Sequence, residues 1–226
     1  MPMTSQRHNM PVHYSAEEYD KFTQGFLGRF DRLLADRVLQ EVRLNPAGRK
    51  LLDAGCGTSR FLLRLAALSE LKQIKFIGLD YFSDMIEVSR ANLERENLLD
   101  RIELVRGDVH HMPFPDGAMD FVVSRSTIHH WANPAAALVE IRRVLAPGGV
   151  ALIHEIRRDP DPLALAAFNS FRSKAGVEPS RLDEKYTLAE IREIVATSGL
   201  GKEAVIFAPT KGYSSLGCEI RIGAAR

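Results

Sequence analysis

Between Arg49 and Glu155, short runs of aliphatic and β-branched residues alternate with amphipathic stretches, the pattern of a parallel sheet covered by helices. Five strands are predicted there: Lys50 to Ala54, Ile74 to Leu79, Ile102 to Val105, Met119 to Ser124 and Val150 to Glu155. Ahead of the last of these, Asn133 is placed to cap a helix with Pro134 at its first position. Ala137, Leu138, Ile141, Val144 and Leu145 then make an apolar stripe that stops at Pro147-Gly148-Gly149. A further helix is announced by Thr187 and Glu190 in capping-box spacing and closed by Gly199. The strands after it, Glu203 to Ala208 and Cys218 to Ile222, stand only about nine residues apart, too few for a parallel crossover. They are expected to pair as an antiparallel hairpin. The architecture is therefore α/β, a seven-stranded, mostly parallel sheet with one antiparallel strand and helices on both faces, unlike the all-parallel sheet of dinucleotide-binding dehydrogenases.

Two segments lie outside the sheet. Glu17 to Arg43 reads as one helix with Phe30, Leu33, Leu34, Val38 and Val42 on a common face, and Pro160 to Lys185 interrupts the alternation after the fifth strand. They divide the chain into an N-terminal helical cap, 1–48, and a sheet domain, 49–226, with an inserted cap at about 157–186. Both caps could cover the carboxyl ends of the strands, where open α/β sheets bind ligands, or the first could simply bury a sheet face.

The chain has 226 residues, with 30 Lys and Arg against 29 Asp and Glu and a net charge of +1. That balance argues against a general electrostatic grip on nucleic acid. At 45% hydrophobic and 26% charged, the composition is that of a soluble globular protein able to bury one large core. Two cysteines make no disulfide framework, and the apolar runs fall short of the roughly 20 residues that cross a bilayer. A cytoplasmic protein with no membrane association is expected.

The chemistry concentrates in Leu51-Leu52-Asp53-Ala54-Gly55-Cys56-Gly57-Thr58-Ser59-Arg60, a strand running into a glycine turn and a helix. Such a turn lets a ligand approach the backbone and offers amide donors at a helix N-terminus. The dinucleotide fingerprint wants a third glycine where Arg60 stands, and no Gly-Lys-Ser/Thr follows, so neither a dehydrogenase nor a P-loop is favoured. Asp80 ends the second strand, where a carboxylate can accept from two ribose hydroxyls, and Asp108 ends the third. With Asp53 they put acids at three successive strand ends, facing one crevice in a parallel sheet.

These residues, with Gly78-Leu79-Asp80, Ser83-Asp84-Met85-Ile86, Gly107-Asp108, Met112-Pro113-Phe114, Ile128-His129-His130-Trp131 and Arg143-Val144-Leu145-Ala146-Pro147-Gly148-Gly149, resemble the class I S-adenosylmethionine-dependent methyltransferases. The likeness is greatest to their small-molecule branch, which includes ubiquinone and menaquinone biosynthesis enzymes, and it covers about Leu51 to Glu155. The resemblance implies a Rossmann-like methyltransferase fold and S-adenosyl-L-methionine as cofactor. It implies that Asp53, Gly55, Cys56 and Gly57 hold the methionine part, that Asp80 binds the ribose beside Tyr81, and that Met85, Asp108 and Val109 surround the adenine. Ser124 would lie beside the methionine moiety. Many relatives have a glycine where this chain has Ser59.

Methyl transfer is an in-line displacement from a sulfonium, so alignment and exclusion of water can carry most of the acceleration. A base is needed only for an acceptor whose proton has a high pKa. His130, His129 and Glu155 are the candidates, by type and by position past the fourth and fifth strands. The histidines lack ligand spacing, and no metal is expected. The nucleic-acid amino-methyltransferase signature is absent at Ser124-Arg125-Ser126-Thr127, which points to a small-molecule acceptor; a homodimer is compatible with this reading. Tyr19, Phe22, Arg125, His129, Phe168 and Tyr213 are the candidate acceptor-binding residues. Two other readings stand beside this one: a protein that binds S-adenosylmethionine without transferring methyl, and an NAD-dependent oxidoreductase.

Overall fold

Burial along the strands decides how the molecule is layered. In the computed structural model, which describes residues 15–26, 28–174, 180–211 and 213–223, all seven expected strands form. They are β1 (Lys50–Ala54), β2 (Lys75–Asp80), β3 (Ile102–Arg106), β4 (Met119–Arg125), β5 (Leu145–Ile156), β6 (Ala204–Phe207) and β7 (Gly217–Ile222). Their spatial order is β3-β2-β1-β4-β5-β7-β6. β1 to β5 pair in parallel, and β7 runs antiparallel to both β5 and β6. The deduced hairpin is present, and β7 is the reversed strand.

Central strands are covered on both faces, as their near-continuous apolar sequences require. Leu52, Ala54, Ile77, Leu79 and Val122 enter one core with α5 (Pro134–Val144) and α7 (Leu188–Thr197). Leu51, Phe76, Phe121 and Val123 point the other way, toward α2 (Gly28–Leu44) and α3 (Arg60–Ala66). The period-2 alternation of a strand makes that division. α4 (Ser83–Arg95) follows β2, and α6 (Pro162–Lys174) forms the inserted cap, with a small core of its own made by Ile156, Ala164, Phe168 and Leu216.

Helix ends follow their sequence signals. Asn133 Oδ1 accepts from the Ala136 amide at 3.1 Å, Thr187 and Glu190 make both bonds of a capping box, and Gly199 closes α7 at φ +76°.

Two expectations need correction. The helix expected over 17–43 is described as α1 (Ala16–Phe26) and α2 (Gly28–Leu44), on either side of residue 27, which lies outside the described residues. The buried stripe of α2 is Leu34, Ala35 and Val38, continued by Leu39 and Val42, which leaves Leu33 44% exposed at its edge; the Phe30 side chain lies outside the described residues. β5 also begins at Leu145 instead of Val150, because Pro147-Gly148-Gly149 is absorbed into the strand with a register shift against β4. A Cβ on Gly149 would stand 2.9 Å from the Ala146 carbonyl, so that passage needs glycine.

Candidate active site

β1 delivers the chain into a turn in which Gly55, Gly57 and Ser59 all have left-handed backbones, with φ of +84°, +53° and +61°. A Cβ on Gly55 would lie 2.7 Å from Thr127 Cγ2, and one on Gly57 would lie 3.2 Å from Tyr19 Cε1. Both glycines are thus fixed by conformation and by close neighbours. Ser59 adopts the glycine-like backbone without being glycine, and its hydroxyl is anchored to Ser89 Oγ. The turn's amides do not point at a vacant crevice: Gly55 and Cys56 donate to the Leu79 carbonyl at 2.8 and 2.9 Å, and Gly57 donates to Asp80 Oδ2 at 2.8 Å. β2 extends alongside the turn and takes these donors. Cys56 is a buried filler whose thiol is pushed well up by burial; its sulfur stands 2.9 Å from where a Gly78 Cβ would be.

The three strand-end acids have different surroundings. Asp80 accepts the Gly57 amide on one oxygen and the Phe82 amide, at 3.0 Å, on the other. Burial pushes its pKa up against those two bonds. Each oxygen keeps a second lone pair that a ribose hydroxyl could use. Asp108 Oδ1 accepts the His110 amide at 2.9 Å and lies beside His110 Nδ1. Asp53 is 2% exposed, and its Oδ1 has no hydrogen-bond partner among the described residues. Burial raises its pKa to about 7, with Asp80 and Asp31 pushing the same way and Arg125 opposing. An unpaired buried carboxylate oxygen is a seat for a cation, which fits the ammonium of a methionine moiety. Met85, in the first turn of α4, and Val109, just past the end of β3, are buried, Tyr81 is half exposed, and Ser124 Oγ donates to the Ala54 carbonyl at 2.7 Å.

The N-terminal cap is tied to this turn by charge. Arg60, at the third-glycine position, forms a bidentate pair with Asp20 of α1, and Asn92 of α4 donates to the same carboxylate at 2.8 Å. That set brings Tyr19 against Gly57. Arg125, expected to face an acceptor, is enclosed instead and pairs with Asp31 of α2 at 3.2 Å. Phe168, another acceptor candidate, is 1% exposed and fills the small core of the inserted cap. The side chains of Phe22 and Tyr213 lie outside the described residues.

At the end of β5 a second constellation forms. His129 and His130 sit in a 3-10 turn, Ile128–His130, with ring centroids 3.9 Å apart; His129 is buried and His130 exposed. His129 Nδ1 is 2.9 Å from Glu155 Oε2, and Glu155 Oε1 accepts the Ile156 amide at 2.9 Å. Burial opposes the Glu155 charge, but His129, Lys185 and His130 outweigh it and hold the pKa down to about 2. Lys185 Nζ lies 2.5 Å from His129 Nε2. Sequence reasoning brought His129 and Glu155 forward but missed Lys185, Asp20 and Asp31, whose partners are far away along the chain and leave no local pattern.

Residues 52–153 match the family model described as a methyltransferase domain. The chain is 28% identical over 159 residues to a demethylmenaquinone methyltransferase of Staphylococcus saprophyticus, covering 65% of this chain and 66% of that protein. It is 33% identical over 117 residues to an uncharacterized chloroplastic methyltransferase of Arabidopsis thaliana, covering 50% of this chain and 33% of the relative. It thus spans a third to two thirds of these curated relatives. Among solved structures, a proposed S-adenosyl-L-methionine-dependent methyltransferase of Methanococcus maripaludis superimposes with a TM-score of 0.70 at 22% identity, over 93% of this chain and 92% of the other.

Proposed function

The chain carries a class I S-adenosylmethionine-dependent methyltransferase domain, and on that premise we propose that it transfers a methyl group from this cofactor to a small-molecule acceptor. The observation that carries the reading is the orphaned, enclosed Asp53 Oδ1 beside the glycine turn, a seat for the cofactor's ammonium. Asp80 would hold the ribose through its spare lone pairs, with Tyr81 at the rim. Met85, Val109 and Asp108 would enclose the adenine, and Gly55, Cys56, Gly57 and Ser124 would shape the methionine end. When bound, the cofactor supplies an electrophilic methyl on a sulfonium. The chain's own part is to orient the acceptor and exclude water, which Tyr19 over Gly57 and the two caps would do.

The division into a cap over 1–48 and a methyltransferase domain over 49–226, with an inserted cap at about 157–186, follows from the same reading. A small acceptor, and not nucleic acid, is supported by the net charge of +1 and by the demethylmenaquinone methyltransferase relatives. Two free, buried thiols suit a reducing cytoplasm, and no helix among the described residues is long and apolar enough to cross a membrane. His129 and Glu155, both enclosed, would act on an acceptor only through other groups, and His130 is the histidine that reaches the surface. Incubation with the cofactor and a metabolite extract, followed by mass spectrometry, should reveal a product heavier by one methylene. Cofactor binding with no such product would instead support a non-catalytic binder, and NADH binding without S-adenosylhomocysteine binding would support an oxidoreductase.

A further inference from the structure

A cation from the end of the inserted cap, Lys185, reaches His129 beside the end of β5. Arg157 and Tyr186 form a parallel β-bridge, and the Arg158 amide donates to the Tyr186 carbonyl at 2.8 Å. The chain returning from the cap is thereby fastened to the prolongation of β5, and Lys185 is carried over the carboxyl ends of β4 and β5. Its Nζ lies 2.5 Å from His129 Nε2, and His129 Nδ1 lies 2.9 Å from Glu155 Oε2. An ammonium can only donate, so His129 accepts at Nε2 and donates from Nδ1 to the carboxylate. The three side chains form a line from the Lys185 ammonium at its outer end, through the His129 ring, to the Glu155 carboxylate at its inner end. His129 and Glu155 are 3% and 0% exposed, so neither can touch an acceptor, whereas Lys185 is partly exposed. Of the three ammonium hydrogens, His129 takes one.

We propose that Lys185 is the acceptor-binding cation of this site and that the acceptor is an acidic small molecule, a phenol, enol or carboxylic acid bound as its anion, with His129 and Glu155 as positioning residues. The inference rests on the methyl-transfer reading. The acceptor's proton leaves to solvent as the anion binds. Its lone pair then forms the bond to the methyl carbon while the sulfur–carbon bond breaks and its electron pair returns to sulfur, leaving a neutral thioether. No general base is required, which agrees with the enclosure of His129. The charged groups facing Lys185 are Glu155 from β5, His129 and His130 from the turn, Arg172 from α6, and Asp183 and Glu184 from its own segment, Glu184 also pairing with Arg181 at 3.4 Å. Burial lowers the pKa of Lys185 and Glu155 raises it, so the anion site is lost as pH climbs through the lysine's lowered value.

The test uses the whole chain saturated with S-adenosylhomocysteine and 4-nitrophenol as probe, because its anion absorbs visible light. The wild type should lower the pH at which the probe ionises. Lys185→Gln should bind the anion about tenfold or more weakly with S-adenosylhomocysteine affinity retained, Lys185→Arg should keep most of the effect, and His129→Gln should lose part of it. An ionisation midpoint that the wild type leaves in place, or one that Lys185→Gln leaves as low as the wild type does, overturns the proposal while the cofactor reading stands. Failure of the wild type to bind S-adenosylhomocysteine overturns both.

Discussion

Asp53 near the end of β1 and Glu155 near the end of β5 are equally enclosed carboxylates on neighbouring parts of one sheet edge, yet their charges are treated in opposite ways. Glu155 has its cation built in, through His129 to Lys185, and its pKa is held down to about 2. Asp53 has one oxygen with no partner among the described residues, and burial raises its pKa to about 7. Similar enclosure gives opposite outcomes because Glu155 is hydrogen-bonded to His129 and faces Lys185, whereas Arg125 only partly offsets the burial of Asp53. Under the proposed function, Asp53 is the acid that meets the cofactor's positive charge.

The largest effect should come from breaking the compensated site. Glu155→Ala leaves Lys185 and His129 without their anion and should cost about 3–5 kcal/mol in urea denaturation; a loss below 1 kcal/mol would mean the network is not coupled in solution. The pH sign follows from the depressed pKa: the Glu155 contribution is present above the usual glutamate range and disappears as pH falls toward 2.

Asp53 should behave in reverse. Its folded pKa lies above the unfolded value, so its contribution is intact in acid and is lost as pH rises through about 7. Asp53→Asn should therefore stabilise the free protein at pH 8 by on the order of 1–3 kcal/mol, change little at pH 5, and weaken cofactor binding. Thermal melts at the two pH values measure this directly, and a destabilised Asn variant at pH 8 would count against the raised pKa of Asp53.

A smaller change tests the cap that closes over the same edge. Asp20→Ala removes the partner of Arg60 and should cost about 1–2 kcal/mol while increasing proteolysis of α1 ahead of global unfolding. At the lower end stands Lys75→Ala, which breaks an exposed pair with Glu103 and should shift stability by no more than about 0.5 kcal/mol.

The sheet was legible because its signals are local. Asn133-Pro134, the Thr187 and Glu190 box and the short gap between β6 and β7 each dictate a piece of backbone on their own. The exact face of α2 was not, since Leu33 and Leu34 are equally apolar in sequence and only the packing leaves Leu33 exposed. At the site, Asp53 and Asp80 were legible as acids at strand ends, but not that one would be satisfied by backbone amides and the other left with a bare oxygen. Arg125 reads from sequence as a candidate acceptor-binding residue, and only the fold brings Asp31 to it. Lys185 was invisible for the same reason: it meets His129 through a chain reversal in the cap, and nothing near it in sequence marks it out.

The central claim is that Asp53 awaits the cofactor's positive charge, and calorimetry of S-adenosylhomocysteine binding across pH tests it most directly. Affinity should rise between about pH 5.5 and 8, with a proton released on binding below the midpoint and a flattened profile in Asp53→Asn. Equal affinity across that range in the wild type, or the same slope in the Asn variant, would contradict it.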